Sequence, residues 1–302
     1  MQNVIFAAYA EDEAQHNVNT NLYLQNVCCC LVSAKKHNPD DLVALITNAV
    51  VPVRYLSILE DAQIEIWQKS FDSYTLPEDC KWRLAFYKLC AVSYVVNELE
   101  FDKLLLLDTD VVTIGSYQEL WQDADHALLL HQVVHSYDNT NETIMRRELK
   151  DILGLEHCIH WGGEFICGKT TVLKEVLCVA RRIFAQMLET GKYTTRGDEF
   201  IWTAALKEFY VKSAVAYLAR CWTGKGYYFA TTYMYYPGLV ALHLPDEKKR
   251  GMLRMFRLLE RNQYPSNKRI FRMMRMPKSV YGFSEYLVLD LFERIKRRLV
   301  RK

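Results

Sequence analysis

Lys103-Leu104-Leu105-Leu106-Leu107-Asp108-Thr109-Asp110 is the stretch from which the fold follows. Four consecutive leucines that stop abruptly at acid predict a central parallel strand, buried on both faces, whose C-terminal end opens into a crevice. Ligands of open α/β sheets bind in such crevices. On extended backbone, residues i and i+2 project to the same side, so Asp108 and Asp110 reach one ion while Thr109 points away. Hard oxygen ligands favour Mg2+ or Mn2+, ions that keep positions open for a substrate diphosphate. On these three residues alone a turn with a helix cap stays open as the plainer reading.

Outward from that strand, the stretch Phe101 to Thr113 followed by Ser116-Tyr117-Gln118-Glu119-Leu120-Trp121 resembles the metal-binding segment of retaining glycosyltransferases of family 8. That family includes glycogenin and bacterial lipopolysaccharide galactosyl- and glucosyltransferases. The resemblance implies an α/β fold of the GT-A nucleotide-sugar-binding type with a mixed central sheet over residues 1–245. A basic helical C-terminal extension over 246–302 follows it. Asp108 and Asp110 become metal ligands, with Thr109 between them and Ala7 on the first strand facing the nucleotide. Family members carry a second segment, a His after an apolar strand and a Lys six residues later. Leu239-Val240-Ala241-Leu242-His243 precedes Lys249 at that spacing. By resemblance His243 is the third ligand of Mn2+ or Mg2+ and Lys249 contacts the diphosphate, while Asp246 stands where the family has Gly.

Three further fragments extend the resemblance. Trp82-Arg83-Leu84-Ala85-Phe86-Tyr87-Lys88-Leu89 spaces its apolar residues as a helix does. Its place before the leucine strand implies a nucleotide-side role for Lys88 and a phosphate or sugar contact for Arg83. Gly197-Asp198-Glu199-Phe200 occupies the position of the family's Asp-Gln pair beside the donor sugar, with Glu in place of Gln. Asp198 and Glu199 are therefore the candidate catalytic acids, at the start of a helix expected over Phe200 to Phe209. Retention of configuration needs a nucleophile or a same-face reaction through an oxocarbenium-like state, and a carboxylate at 199 serves either. At the chain start, Val4-Ile5-Phe6-Ala7-Ala8 predicts a short buried strand leading, after a polar stretch, to a helix from Asn21 to Lys36. Tyr9 stands where the family has an acid or Asn, which implies base stacking on Tyr9 with hydrogen bonds from Glu11 or Asp12. Trp161-Gly162-Gly163-Glu164-Phe165-Ile166 falls where the family has an Asn-small-Gly turn, without the Asn.

Composition bounds these expectations. With 302 residues, half of them hydrophobic, the chain can bury one large α/β core, and disorder is excluded. Nine cysteines, an odd number without a Cys-x-x-Cys pair, read as buried reduced thiols rather than a disulfide framework. Met1-Gln2-Asn3 lacks the positive start of a secretory signal, and no apolar run reaches membrane-spanning length, so a cytoplasmic location is expected. His131-Gln132-Val133-Val134-His135 lacks the Glu of a zinc-protease motif and follows a strand-like Ala127 to Leu130, so no metal is expected there.

Charge is strongly bipolar. Residues 1–246 hold 21 Lys+Arg against 31 Asp+Glu, and residues 247–302 hold 17 against 5. Phe283, Leu287, Val288, Leu291, Phe292, Ile295 and Leu299 share one helical face beside a cationic end. Residues 283–302 are therefore expected to lie on an anionic membrane surface, at the inner face of the membrane. Packing of that helix on the protein is the plainer alternative, and nucleic acid is disfavoured because no nucleic-acid fold signature accompanies the arginines. The function so implied is transfer of galactose or glucose from a UDP-sugar to a glycan or glycolipid acceptor, lipopolysaccharide among the candidates. The runner-up activity is another metal-dependent transferase or hydrolase of nucleotide sugars, and a catalytically idle scaffold is the reading from a different class.

Overall fold

The computed structural model describes residues 2–11, 20–133, 139–223, 227–228 and 239–276. Its core is a seven-stranded mixed sheet. Strands β1 (Asn3–Tyr9), β2 (Leu42–Thr47), β3 (Glu65–Gln68) and β4 (Lys103–Leu107) run parallel in the order β3-β2-β1-β4. Beyond β4 come β6 (Leu128–Gln132), β7 (Trp161–Lys169) and β8 (Val211–Ser213), in the order β7-β6-β8, with β7 antiparallel to both neighbours. The parallel half is compatible with a Rossmann-like arrangement. Between β1 and β4 the strand order changes direction, and crevices at the carboxyl ends of strands open at such switch points.

The leucine run behaves as its sequence dictates. All of Leu104 to Leu107 are fully buried, and alternate residues belong to different cores: Leu104 and Leu106 to one face of the sheet, Leu105 and Leu107 to the other. Each such side chain contributes roughly 1.5–3 kcal/mol by leaving water. One face is covered by α3 (Tyr87–Glu98), α5 (Asn139–Leu153), α6 (Thr170–Thr190) and α7 (Asp198–Ala205). Against the other pack α1 (Thr20–His37), α2 (Val53–Asp61) and a second sheet of four strands in the order β10-β9-β11-β5. Its members are β5 (Val111–Thr113), β9 (Leu218–Trp222), β10 (Tyr227–Tyr228) and β11 (Ala241–His243). A short helix α4 (Gln118–Asp123) follows β5.

Two sequence expectations change here. Trp82 to Leu89 is not one helix: Trp82 takes a left-handed backbone (φ 63°), Arg83–Phe86 forms a 3-10 turn, and α3 starts only at Tyr87. Apolar spacing that suits an α-helix also suits this tighter turn, which periodicity alone does not separate. The helix expected over Phe200 to Phe209 begins earlier, at Asp198, and ends at Ala205 in a second 3-10 turn.

The packing shows no break at residue 245. Helices α8 (Gly251–Leu259) and α9 (Asn267–Met273) bury Met252, Met255, Phe256, Leu259 and Ile270 in the same core as β1, β4 and α1. Arg54 on α2 ion-pairs with Glu260 just past α8 (2.5 Å). So the described part of the segment after 245 is integral to the first core, because its apolar side chains seal α1. The amphipathic stretch 283–302 lies outside the described residues, as does most of the aromatic run between Trp222 and Tyr236. Among the described residues, no helix is long and apolar enough to cross a membrane.

Candidate metal centre

Asp108, Thr109 and Asp110 form the turn that carries the chain from the central sheet into the second one. The Val111 amide closes it on the Asp108 carbonyl (3.0 Å), and Asp108 donates its own amide to the Glu164 carbonyl on β7 (2.9 Å). Strand β11 pairs antiparallel with β5, setting His243 opposite Val111, and Leu244 donates to the Asp110 carbonyl (3.0 Å). Backbone register thus brings a histidine from late in the chain beside acids from its middle. His243 Nε2 lies 3.4 Å from Asp110 Oδ1. Among the described residues, Asp108, Asp110 and His243 form a group whose ligand atoms all lie within 4.8 Å of one another. With metal–ligand bonds of roughly 2.1 Å, neighbouring ligands stand about 3 Å apart and opposite ones about 4 Å, so two carboxylates and an imidazole at this spacing fit a divalent cation.

Cations already gather there. Lys248 Nζ is 3.1 Å from Asp110 Oδ2, and Asp110 is almost fully buried. Burial alone would raise the Asp110 carboxyl, but Lys248 and His243 outweigh it and hold Asp110 below the usual carboxylate range. Burial also opposes charge on His243; Asp110 and Glu164 overcome it and lift the imidazole to about 9. A cation held here would have to displace a proton from His243. The lysine that reaches this centre is Lys248, whereas Lys249 is exposed and points no charge at it. One residue of register in the turn after His243 separates the two.

A second cluster adjoins the first. Lys88, on the first turn of α3, donates to Asp108 Oδ1 and to the Gly163 carbonyl (3.0 Å each) and ion-pairs with Asp198 Oδ2 (3.0 Å). Burial works against the ammonium, yet Asp108 and Asp198 raise its pKa above the ordinary lysine value. One ammonium cannot hold both acids equally: for Asp198, burial outweighs Lys88 and Asp108 adds repulsion, so this carboxyl is pushed up to about 7. Gly163 makes the meeting possible. A Cβ there would stand 2.2 Å from Asp198 Oδ2 and 3.0 Å from Lys88 Nζ.

Glu199, the next residue on α7, is held by His160 Nε2 (3.1 Å) and Arg220 Nη2 (3.5 Å). Burial would raise it, but these two partners lower it, so Glu199 carries a full negative charge. Its side chain is 24% exposed, enough to meet a ligand. Arg220 sits on β9 opposite His243 and approaches Glu164 as well (3.6 Å).

The remaining candidates fall differently. Ala7 is fully buried on β1 beside Leu107, so it has only backbone to offer. Tyr9 is 5% exposed and donates its hydroxyl to Glu11 Oε1 (2.5 Å), leaving little ring face for stacking. Asp12 lies outside the described residues. Thr109 is half-buried in the turn, and Arg83 is half-buried in the 3-10 turn ahead of α3. Sequence reasoning gave no site role to Glu164, Arg220, His131, His160 or Lys248. Glu164 alone had a local signal: an acid set between Gly162-Gly163 and the apolar Phe165-Ile166-Cys167, where a strand core has no use for charge unless partners await it.

No known family model and no curated protein matches this chain. Fold and site together define an α/β protein with an Asp-Asp-His cluster that could hold a metal ion, at the carboxyl end of the central strand of its mixed sheet.

Proposed function

We propose that this chain is a metal-dependent, retaining hexosyltransferase of the GT-A type, moving galactose or glucose from a UDP-sugar to a glycan or glycolipid hydroxyl. What carries the reading is the convergence of Asp108, Asp110 and His243, the last distant in sequence from the acids, to within 4.8 Å of one another at a strand switch point. Two carboxylates and an imidazole would hold Mn2+ or Mg2+, which supplies Lewis-acid charge to a departing diphosphate. Lys248 adds a cation beside the same acids. Lys88 fixes the direction of Asp108 and keeps Asp198 at its side, while Glu199, charged and partly open, faces the sugar as stabiliser or nucleophile. An idle scaffold would need none of this buried charge, whose desolvation costs several kcal/mol per ion.

Thermal unfolding with UDP and Mn2+ separates the readings. A hexosyltransferase is expected to be stabilised by UDP and Mn2+ together, by about 2.7 kcal/mol at a hundredfold excess over Kd, and to release UDP when donor and acceptor are supplied. An idle scaffold should show neither effect, and absence of both would refute the hexosyltransferase reading.

Membrane association has its own observation. Arg250, Arg254, Arg257 and Arg261 recur at helical spacing along and just beyond α8, and with Lys268, Arg269 and Arg272 they are exposed. None of the seven has an ion pair with a described acid. Near an anionic bilayer each contributes about 1 kcal/mol. Sedimentation with vesicles should show binding to anionic lipid that weakens with salt, and equal binding to neutral vesicles would refute the reading.

A further inference from the structure

Glu164 has no part in the chemistry above, yet it is among the most deeply buried acids of the described chain, 1% exposed. A lone carboxylate in that place costs several kcal/mol of desolvation, so its retention calls for a use of the charge. Its Oε1 faces three nitrogens: His131 Nδ1 at 3.1 Å, Arg220 Nε at 3.6 Å and His243 Nδ1 at 3.6 Å. Gly162 leaves the room, since a Cβ there would stand 1.9 Å from Glu164 Oε2. At the same time the Glu164 carbonyl accepts the amide of Asp108 (2.9 Å). One residue of the central sheet thus touches a ligand candidate through its backbone and another, from the second sheet, through its carboxylate.

The two nitrogens of His243 are distinguished by what they face. Nε2 looks toward Asp110 Oδ1, and Nδ1 toward Glu164. An imidazole that ligates through one nitrogen keeps its proton on the other, and a carboxylate on that far side fixes both tautomer and ring angle. Resting on the metal-centre reading, we propose that Glu164 is a positioning residue that orients His243, from its Nδ1 side, toward a divalent cation shared with Asp108 and Asp110. Arg220 and His131 approach that same oxygen, Oε1, and their approach offsets the burial of the carboxylate.

Titration of the whole chain with Mn2+ alone tests this in wild type, Glu164→Gln and Glu164→Asp, read by calorimetry and by electron-spin-echo modulation from the imidazole nitrogen. Circular dichroism checks that each variant is folded. Glu164→Gln is expected to bind Mn2+ about 10–100-fold more weakly with a reduced imidazole-nitrogen signal. Glu164→Asp keeps the charge but withdraws it, and should fall between. Equal affinity in Glu164→Gln and wild type overturns the proposal. So does complete loss of binding in a folded Glu164→Gln, because Glu164 would then be a ligand itself. If Glu164→Gln does not fold, Glu164→Asp decides, and unchanged affinity there is the overturning result. A wild type that binds no Mn2+ would sink the metal centre itself, which keeps the two failures apart.

Discussion

Asp110→Asn is expected to abolish Mn2+ binding and, with it, sugar transfer. The substitution keeps size and shape while removing the one charge that Lys248 and His243 share (3.1 and 3.4 Å). Several kcal/mol of transition-state stabilisation by a bound metal corresponds to about a 10^3-fold loss of rate or more. Stability should fall too. The buried His243 imidazole and the partly exposed Lys248 ammonium are left around a neutral amide, and breaking a buried pair by removing one partner costs up to about 3–5 kcal/mol. Calorimetric titration with Mn2+ reads the first effect and urea unfolding the second. Retained Mn2+ affinity in a folded Asp110→Asn would exclude Asp110 from the ligand set.

Lys88→Met should be the most damaging change to the fold itself. Its ammonium is 12% exposed and is the cation between Asp108 and Asp198. Without it, the buried Asp198, the partly exposed Asp108 and the Gly163 carbonyl lose their shared cation, and the expected loss is up to about 3–5 kcal/mol, a large share of a typical 5–15 kcal/mol. Adding Asp198→Asn should restore part of that loss, because burial already pushes this carboxyl up to about 7 and removing Lys88 takes away the cation that favours its charge. Urea unfolding of the single and double variants near neutral pH reads both. A Lys88→Met midpoint equal to wild type would mean that the Asp108–Lys88–Asp198 bridge contributes nothing.

The strand that starts all this was readable because burial on both faces leaves a run of leucines and because i, i+2 geometry needs no tertiary information. The approach of His243 was different: its strand is only three residues long, and nothing in Ala241-Leu242-His243 states that its partner is β5. Resemblance implied only that His243 shares an ion with the two acids; the pairing itself, which sets His243 beside Asp110, is a finding of the fold. The choice between Lys248 and Lys249 was beyond reach, since a turn decides which of two adjacent lysines faces inward. Glu164, Arg220, His131 and His160 are single polar residues on three separate segments. They meet only after β7 pairs with β4 and β6, β9 pairs with β11, and α7 docks beside them.

Helices α8 and α9 turn arginines outward with the same residues' neighbours that anchor Met252, Met255 and Phe256 inward. Lys248, three positions before α8, touches Asp110. A surface gripped by those arginines would therefore not hold the protein on a slack leash; the grip would pass through α8 and the turn before it to the carboxylate at 110.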